Sequence, residues 1–270
     1  MPELPEVETT RRGIEPRLAG KTLEAVEIRD ARLRWPVPGD IGARLAGKKL
    51  LAVRRRGKYL LFDFGGLFQI VHLGMSGSLR FAAKNETAAA HDHVDWHFAD
   101  GTTLRLRDPR RFGAVLLSDD PPNHPLLAHL GPEPLRSDFS AAYLYRACRG
   151  RKTSIKNLIM DSRIVVGVGN IYASESLSAA GIRPGRAAGR LTRAECAKLA
   201  AAVKTTLQNA VRAGGSSLRD YVAANGELGY FQLHARVYGR AGLPCRACGT
   251  PIKKLATAQR SSFYCPVCQK

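Results

Sequence analysis

The spacing of apolar residues at the start of the chain follows a helical repeat. Val7, Ile14 and Leu18 can share one face of a helix. Pro5 suits the first helical position, and Gly20 ends the run. The sequence therefore predicts a short N-terminal helix that stops before a glycine.

A strand repeat replaces the helical one over residues 22–118. Apolar and polar residues alternate most clearly over 94–98 and 103–107, so that every second side chain would face the same side of a sheet. Gly65-Gly66 and Asp100-Gly101 lie between such runs, where tight hairpin turns belong. We therefore expect antiparallel strands that form a sandwich or a barrel.

A helical repeat returns after residues 121–134, a linker that contains five prolines. Helices are predicted over 139–148, 154–161 and 170–180. Thr192 and Glu195 then form a capping box before the longest helix, which Gly214-Gly215 ends. A loop-rich stretch is expected over 216–242, and the chain closes with a cysteine-rich segment.

The chain is strongly basic. Its 270 residues carry 42 Lys and Arg against 23 Asp and Glu, which gives a net charge of +19. A chain of this length holds two domains, or one domain with an appendage. The charge indicates a polyanionic partner. Because no apolar run approaches the ~20 residues of a spanning helix, we expect nucleic acid and not a membrane.

Four cysteines near the end of the chain form two Cys-x-x-Cys pairs, separated by 16 residues. They are Cys245, Cys248, Cys265 and Cys268. Four thiolates at this spacing can enclose one tetrahedral Zn²⁺ and leave no open position. We therefore expect one structural zinc and chemistry elsewhere. Two disulfides would need an oxidising compartment, whereas nothing at the N-terminus resembles a signal peptide.

The N-terminus offers a candidate nucleophile. Removal of Met1 before the small residue Pro2 leaves a secondary amine with a pKa of about 8. A neutral amine can attack the anomeric carbon of a sugar, and Glu3 could then protonate the ring oxygen. From these residues alone, the simpler interpretation is that Pro2 and Glu3 only begin a helix.

Six blocks of the chain resemble the formamidopyrimidine-DNA glycosylases, in the same order and over nearly the whole length. They are Pro2-Glu3-Leu4-Pro5-Glu6-Val7-Glu8-Thr9, Gly57-Lys58-Tyr59-Leu60, His72-Leu73-Gly74-Met75-Ser76-Gly77, Asp108-Pro109-Arg110-Arg111-Phe112-Gly113, Gly167-Val168-Gly169-Asn170-Ile171-Tyr172-Ala173-Ser174-Glu175 and the four cysteines. The resemblance implies a multidomain α+β fold. An N-terminal antiparallel β-sandwich flanked by helices is expected at 1–132, a helical helix-two-turn-helix domain at 133–235, and a β-hairpin zinc finger at 236–270.

The resemblance also implies base excision repair. Family members excise oxidised purines, chiefly 8-oxoguanine and formamidopyrimidines, and then cleave the backbone of double-stranded DNA by β- and δ-elimination. In that pattern Pro2 is the Schiff-base nucleophile and Glu3 the proton donor. Lys58 is a second catalytic cation, and Arg260 binds phosphate and donates the proton for δ-elimination. Without the resemblance, Lys58 would be a snorkelling lysine and Arg260 a surface arginine.

Extrusion of a base leaves a gap in the duplex that protein side chains fill. By resemblance Met75 and Phe112 wedge against the unstacked bases, while Arg110 bonds the orphaned cytosine. Without the resemblance, Met75 and Phe112 would be assigned to the core. The other DNA contacts that the resemblance implies are His91, Arg151, Lys152, Lys156 and Asn170.

Three further features of this family have counterparts in the chain. Glu6 and Glu175 resemble carboxylates that support the site, although helix electrostatics accounts for them nearly as well. Residues 216–231 resemble a loop that closes over the extruded base, and their glycines fit a mobile lid. We expect a monomer in the bacterial cytoplasm, associated with the nucleoid.

Two other functions remain open from the sequence. An endonuclease VIII-type glycosylase shares the terminal proline, the glutamate, the lysine and the zinc finger, but it removes oxidised pyrimidines. Leu4 and the set of Met75, Arg110 and Phe112 favour the purine enzyme. A non-catalytic zinc-ribbon protein that binds DNA would need only the charge and the cysteines.

Overall fold

The computed structural model describes residues 1–83, 85–216, 235–257 and 260–270. The chain separates into two compact units. The first contains Met1–His129 and continues from Gly214, and the second contains Leu130–Ala213 and ends at Lys270. The expected base-closing loop lies outside the described residues, apart from Ser216.

Helix α1 opens the first unit and spans Leu4–Leu18, which confirms the predicted N-terminal helix. The side chains of Val7, Ile14 and Leu18 share its inner face and have no exposed surface. Burial of these apolar groups is the main force that holds α1 against the neighbouring strands.

Glu8 links α1 to strand β2 (Ala52–Arg56). Arg55 Nε donates to Glu8 Oε2 at 3.0 Å, and Arg11 and Arg12 donate to the same carboxylate from within the helix. Burial disfavours the charged form of Glu8, but the three guanidinium groups outweigh it and lower its pKa to about 2. The carboxylate is therefore ionised at neutral pH and makes strong, charge-assisted hydrogen bonds.

Two antiparallel sheets of four strands make up most of the first unit. One has the order β1-β6-β7-β5 and the other β2-β3-β4-β8. The remaining strands are β1 (Leu23–Ile28), β3 (Tyr59–Asp63), β4 (Phe68–His72), β5 (Ser78–Ala82), β6 (Asp92–Phe98), β7 (Thr103–Arg107) and β8 (Ala114–Ser118). Trp96 of the first sheet contacts Phe62 of the second, with ring centroids 5.9 Å apart. Both sheets thus enclose one core, and the predicted sandwich is confirmed.

The connections explain how the strands stay antiparallel. Gly65-Gly66 joins β3 to β4, with φ angles of +77° and +89°, and Asp100-Gly101 joins β6 to β7. Both turns lie where the sequence predicts them. A short helix, α2 (Ile41–Leu45), interrupts the strand region and is absent from the sequence prediction. Its single turn is too short for a helical repeat to be visible.

Four helices form the larger part of the second unit. They are α3 (Ala141–Cys148), α4 (Ile155–Met160), α5 (Asn170–Ala180) and α6 (Arg193–Arg212). Ser140 and Ser154 cap α3 and α4 by accepting from backbone amides. The predicted capping box of α6 is present: Glu195 N donates to Thr192 Oγ1 at 3.2 Å, and Thr192 N donates to Glu195 Oε2 at 2.8 Å. These four helices match the predicted ones to within a few residues.

A two-stranded hairpin, β9 (Lys253–Thr257) and β10 (Arg260–Tyr264), closes the chain. Its core is small, because Val237, Ile252 and Cys265 are its buried members among the described residues. An apolar cluster of this size cannot stabilise a hairpin alone, and a metal is the usual supplement.

The boundary between the two units follows His129 and falls within the proline-rich segment at 121–134. The helices and the hairpin group into one unit, so their separation into domains at 133–235 and 236–270 remains a prediction. Among the helices of the described ranges, none combines the length and the apolar character needed to cross a bilayer.

Candidate active site and metal centre

Pro2 and Glu3 lie at the N-terminal end of α1, and both are buried. Glu3 is the N-cap residue and forms a capping box with Glu6. Glu3 N donates to Glu6 Oε2 at 2.8 Å. The carboxyl group of Glu3 is therefore fixed one residue from the Pro2 nitrogen. Once Met1 has been removed, an amine and an acid are adjacent, as attack on a sugar carbon and opening of the ring require.

Glu6 connects this N-terminus to a distant part of the first unit. Its side chain has no exposed surface. Glu6 Oε1 accepts from Ser216 N at 2.7 Å and from Ser216 Oγ at 3.0 Å. Ser216 is the residue at which the expected base-closing loop begins. Sequence reasoning could not choose between this role and helix electrostatics, because the partner is 210 positions away.

Lys58 lies in the turn between β2 and β3 and not within a strand. The turn is possible because Gly57 adopts a φ of +57°, which glycine tolerates without a steric penalty. Arg55 Nη1 donates to Gly57 O at 2.9 Å and supports the turn. The partly exposed lysine is thus held at the end of a rigid hairpin.

His72, at the end of β4, is a neighbour of this lysine that sequence reasoning did not single out. Desolvation of the ring, and then the positive charges of Lys58 and Arg34, lower the pKa of His72 to about 4. Gly74 N donates to His72 Nδ1 at 3.1 Å, so the neutral ring carries its proton on Nε2. The ring packs on Tyr59, with centroids 4.7 Å apart. At neutral pH the positive charge here belongs to Lys58 and Arg34, and His72 is an uncharged donor.

Met75 and Phe112 are large apolar side chains with 39% and 42% of their surface exposed. Met75 lies in the loop between β4 and β5, whereas Arg110 and Phe112 lie in the turn between β7 and β8. The Arg110 guanidinium carbon lies 4.9 Å from the centre of the Phe112 ring, within cation–π range. A Cβ at Gly74 would lie 2.4 Å from the Phe112 carbonyl carbon, so the two loops touch at this glycine. The structure thereby brings together the loops that carry the three residues expected to fill the gap in the duplex.

His91 is exposed and directly precedes β6. Its φ of +75° is uncommon for a residue with a Cβ and needs support from the surroundings. Asp108 N supplies it by donating to His91 O at 3.0 Å. His91, an expected DNA contact, is therefore hydrogen-bonded to Asp108, the residue that begins the turn containing Arg110.

Asn170 is the first residue of α5 in the second unit, and Gly169 is its N-cap. Gly167, two residues earlier, has a φ of +82°. Asn170 Oδ1 is buried and has no hydrogen-bond partner in the part of the chain that the structure describes. The positive dipole end at the start of a helix suits a phosphate. The geometry fits the expected role of Asn170.

The basic residues before α5 differ in exposure. Arg151 and Lys152 are exposed, as a phosphate contact requires. Lys156 is only 1% exposed, and its Nζ donates to Ser261 O and to Ser262 Oγ, both at 2.9 Å. The structure thus places the Lys156 ammonium against β10, and the phosphate contact that the resemblance implies for Lys156 stays a prediction.

Arg260 is exposed and opens β10, opposite Thr257 in the strand register. It lines a pocket of about 260 Å³ together with Asn157 and Met160 of α4 and with Asp161, and Arg163 donates to the Asp161 carboxylate. Because Lys156 of the same helix binds β10, α4 and the hairpin position the arginine together. The guanidinium is available to an anion, as its expected role requires.

The four cysteines of the hairpin region converge on one point. Cys245 Sγ and Cys268 Sγ are 4.0 Å apart, Cys248 Sγ and Cys265 Sγ are 3.5 Å apart, and all four sulfur atoms lie within 4.8 Å of one another. Zn–S bonds of about 2.3 Å at tetrahedral angles place sulfurs about 3.8 Å apart. The residues therefore fit one zinc ion with a closed shell of four thiolates, and its role is structural.

Glu175 of α5 holds the segment that leads into the hairpin. Its carboxylate is 3% exposed and accepts from three consecutive backbone amides, those of Arg236, Val237 and Tyr238, at 2.7–3.0 Å. The role of Glu175 is therefore to bind these three amides, and an interaction with the helix dipole does not explain its position. Its position within the Gly167–Glu175 block is the one signal in the sequence that marks it.

Three family models match the chain. The formamidopyrimidine-DNA glycosylase N-terminal domain matches residues 1–115, and the H2TH domain of the same family matches residues 130–222. A zinc finger found in FPG and IleRS matches residues 242–270. Together they cover most of the sequence, in the order expected for this family.

Related proteins and structures agree with these matches. Formamidopyrimidine-DNA glycosylases of Thiobacillus denitrificans and Thioalkalivibrio sulfidiphilus are 66% and 57% identical over the full length of both chains. The MutM (FPG) structure of Thermus thermophilus is 41% identical, with a TM-score of 0.89 over 99% of this chain and 98% of that one. Lactococcus lactis Fpg in complex with abasic-site DNA is 34% identical, with a TM-score of 0.92 over 99% of both chains. The chain therefore belongs to the formamidopyrimidine-DNA glycosylase family.

Proposed function

We propose that this protein is a bifunctional DNA glycosylase and AP lyase of base excision repair, which removes 8-oxoguanine and formamidopyrimidines from double-stranded DNA. One observation carries the proposal: Pro2 and Glu3 are adjacent at the buried start of α1, in a chain that matches the family over its full length. A Lactococcus lactis relative was solved with DNA that contains Fapy-dG, at 34% identity and a TM-score of 0.93 over 100% of both chains. The net charge of +19 suits the same substrate.

In the first step, the Pro2 nitrogen attacks C1′ of the damaged nucleotide after Met1 has been removed. The bond from C1′ to the base breaks, and the oxidised base leaves. Glu3 donates a proton to the ring oxygen as the sugar opens, and Pro2 and C1′ remain joined as an iminium. Lys58 is the second catalytic cation, and its charge stabilises a neighbouring phosphate.

In the second step, the iminium makes a proton on C2′ acidic, and its loss expels the 3′ phosphate. A further elimination expels the 5′ phosphate, and hydrolysis then frees Pro2. We assign phosphate binding to Asn170, Arg151, Lys152 and Arg260, with Arg260 as the proton donor in δ-elimination. Lys156 positions the Arg260 hairpin through Ser261 and Ser262.

Side chains from two loops of the first unit fill the gap that the extruded base leaves in the duplex. Met75 and Phe112 wedge against the unstacked bases, and the donors of Arg110 bond the orphaned cytosine. His91 is a further contact to the DNA. The zinc ion supplies no chemistry when bound, because four thiolates fill its shell and only hold the hairpin. We place the protein, as a monomer, at the bacterial nucleoid where its substrate lies.

Borohydride trapping tests the covalent step. Incubation with an 8-oxoguanine:cytosine duplex and borohydride should reduce the iminium to a stable adduct, which peptide mass spectrometry should map to Pro2. A form that retains Met1, or carries an N-terminal extension, should give no adduct at Pro2, because the Pro2 nitrogen is then an amide. Pro2→Gly keeps a terminal amine and is the matched control, in which slower trapping is expected.

A non-catalytic DNA-binding protein would give no adduct, and an adduct on a lysine instead of the terminus would contradict the assignment of Pro2. A parallel duplex with thymine glycol distinguishes the enzymes of oxidised purines from those of oxidised pyrimidines. Faster release of thymine glycol than of 8-oxoguanine would refute the proposed substrate class.

A further inference from the structure

Asp108 is a buried carboxylate to which the proposed chemistry assigns no task. It has no exposed surface, and it begins the turn that carries Arg110 and Phe112. Asp108 Oδ2 accepts from Gly113 N at 2.8 Å, and Oδ1 lies 3.3 Å from Arg110 N. Both ends of the turn are therefore fastened to one side chain.

The same carboxylate reaches the neighbouring loop. Ser76 Oγ donates to Asp108 Oδ1 at 2.9 Å and accepts from Arg110 N at 3.2 Å. Ser76 follows Met75 directly and is itself 6% exposed. The loop of Met75 and the turn of Arg110 are thus cross-linked by a buried, charge-assisted hydrogen bond.

The backbone of Asp108 adds a third segment. Its amide donates to His91 O, and its carbonyl accepts from Arg111 N at 3.1 Å. The carbonyl also lies 2.9 Å from His93 Nε2, which is a donor in this contact. Side chain and backbone of a single residue therefore connect three separate segments, each of which carries an expected DNA contact.

We propose that Asp108 is a positioning residue, which sets the relative placement of Met75, Arg110 and Phe112 and thereby the reading of the base opposite the lesion. The inference rests on the proposed function. Arg110 can bond cytosine only if its guanidinium is held at a defined distance from the wedge residues, because hydrogen bonds weaken steeply with misalignment. The carboxylate fixes that distance from within the protein and does not touch the DNA.

The test compares excision of 8-oxoguanine opposite cytosine with excision opposite adenine, in single-turnover reactions. Asp108→Asn keeps the shape of the side chain but turns one acceptor into a donor that faces Gly113 N or Ser76. Ser76→Ala removes the link between the loops and leaves Asp108 in place. Both variants should lower the cytosine-to-adenine ratio by at least about fivefold, the effect of roughly one lost hydrogen bond.

Asp63→Asn is the matched control. Asp63 is also a buried carboxylate of the first unit, which caps the β3–β4 turn through Gly65 N and pairs with Arg54. The Asp63→Asn variant should be less stable than the wild-type protein but should keep the same cytosine-to-adenine ratio. In an Arg110→Ala background, Asp108→Asn should no longer affect the cytosine-to-adenine ratio, because the guanidinium that Asp108 positions is absent.

Borohydride trapping on an abasic-site duplex at saturating enzyme separates this inference from the proposed function. At saturating enzyme, Asp108→Asn and Ser76→Ala should trap in full yield, since there is no damaged base to remove and neither residue touches the reacting atoms. An unchanged ratio in both variants, or an equal loss in Asp63→Asn, would overturn the role of Asp108. If the wild-type protein itself fails to trap, the proposed function fails instead. Should Asp108→Asn not fold, Ser76→Ala decides the matter.

Discussion

Gln69 is a polar side chain inside the apolar core of the first unit. It has no exposed surface, and neither its Oε1 nor its Nε2 has a partner among the described residues. In the strand register it lies between Phe62 and Leu117, on the face that packs into the core. A buried amide without partners costs about 1–3 kcal/mol for each unsatisfied group.

Gln69→Leu should therefore stabilise the first unit by about 1–2 kcal/mol, because it removes the desolvation penalty and nearly keeps the volume. Urea denaturation followed by tryptophan fluorescence measures the effect, since both tryptophans of the chain, Trp35 and Trp96, belong to this unit. Gln208→Leu, on the exposed side of α6, is the control and should leave this transition unchanged. A loss of stability would mean instead that a buried water satisfies the amide.

The hairpin of β9 and β10 shows how an element can depend on a ligand more than on its own residues. The apolar cluster of the hairpin is small, yet the hairpin has to hold Arg260 in a fixed position. The four sulfur atoms are arranged for a closed metal shell, and Lys156 adds two hydrogen bonds to β10. We therefore expect zinc binding to supply most of the free energy that orders this element.

Cys248→Ser should release the zinc and disorder the hairpin, whereas the β-sandwich should stay folded because it belongs to the other unit. Metal content, tryptophan fluorescence and duplex affinity measure the three parts of this prediction. We expect at least about a tenfold loss of affinity, the equivalent of one charged contact. Cys196→Ala, at a buried cysteine of α6 outside the quartet, should keep its zinc. Unchanged affinity in zinc-free protein would show that the hairpin does not contact DNA.

The net charge of +19 belongs to the molecule as a whole. Its arginines, however, are not equivalent. Arg151 is exposed next to the start of α4, whereas Arg163 is exposed but held by Asp161 through two hydrogen bonds of 2.9 and 3.1 Å. A guanidinium that already neutralises a carboxylate displaces few counterions from DNA.

Duplex affinity should therefore fall steeply with salt, with a slope of about −0.9 for each phosphate that is neutralised. Arg151→Gln should make the log–log slope less negative by about 1 and weaken binding to damaged and undamaged duplexes alike. Arg163→Gln is the matched control and should leave the slope unchanged. Equal slopes in all three proteins, measured by fluorescence anisotropy between low and moderate salt, would contradict the phosphate contact of Arg151.

Local patterns were sufficient for much of the architecture. The capping box of α6, the Gly65-Gly66 turn and the cysteine spacing each involve residues close in sequence, and their physical causes act over a few positions. The helix α2 escaped prediction because one turn shows no period. The family resemblance, carried by six blocks, supplied what periodicity cannot: the chemistry of Pro2 and the zinc-finger context.

Those patterns could not predict contacts between residues that are distant in sequence. Lys156, for which the resemblance implies a phosphate contact, is buried against Ser261 and Ser262, and these give its ammonium two oxygen partners 105 and 106 positions away. Glu6, Glu175 and Asp108 likewise acquire their roles from partners that only folding brings near. The sequence by itself determined most of the elements and the metal ligands, because those depend on neighbours along the chain, and its resemblance to the family indicated the candidate nucleophile. Which carboxylates anchor the loops, and which lysine is buried, depended on the packing of remote segments, since burial and hydrogen-bond partners exist only once the chain has folded.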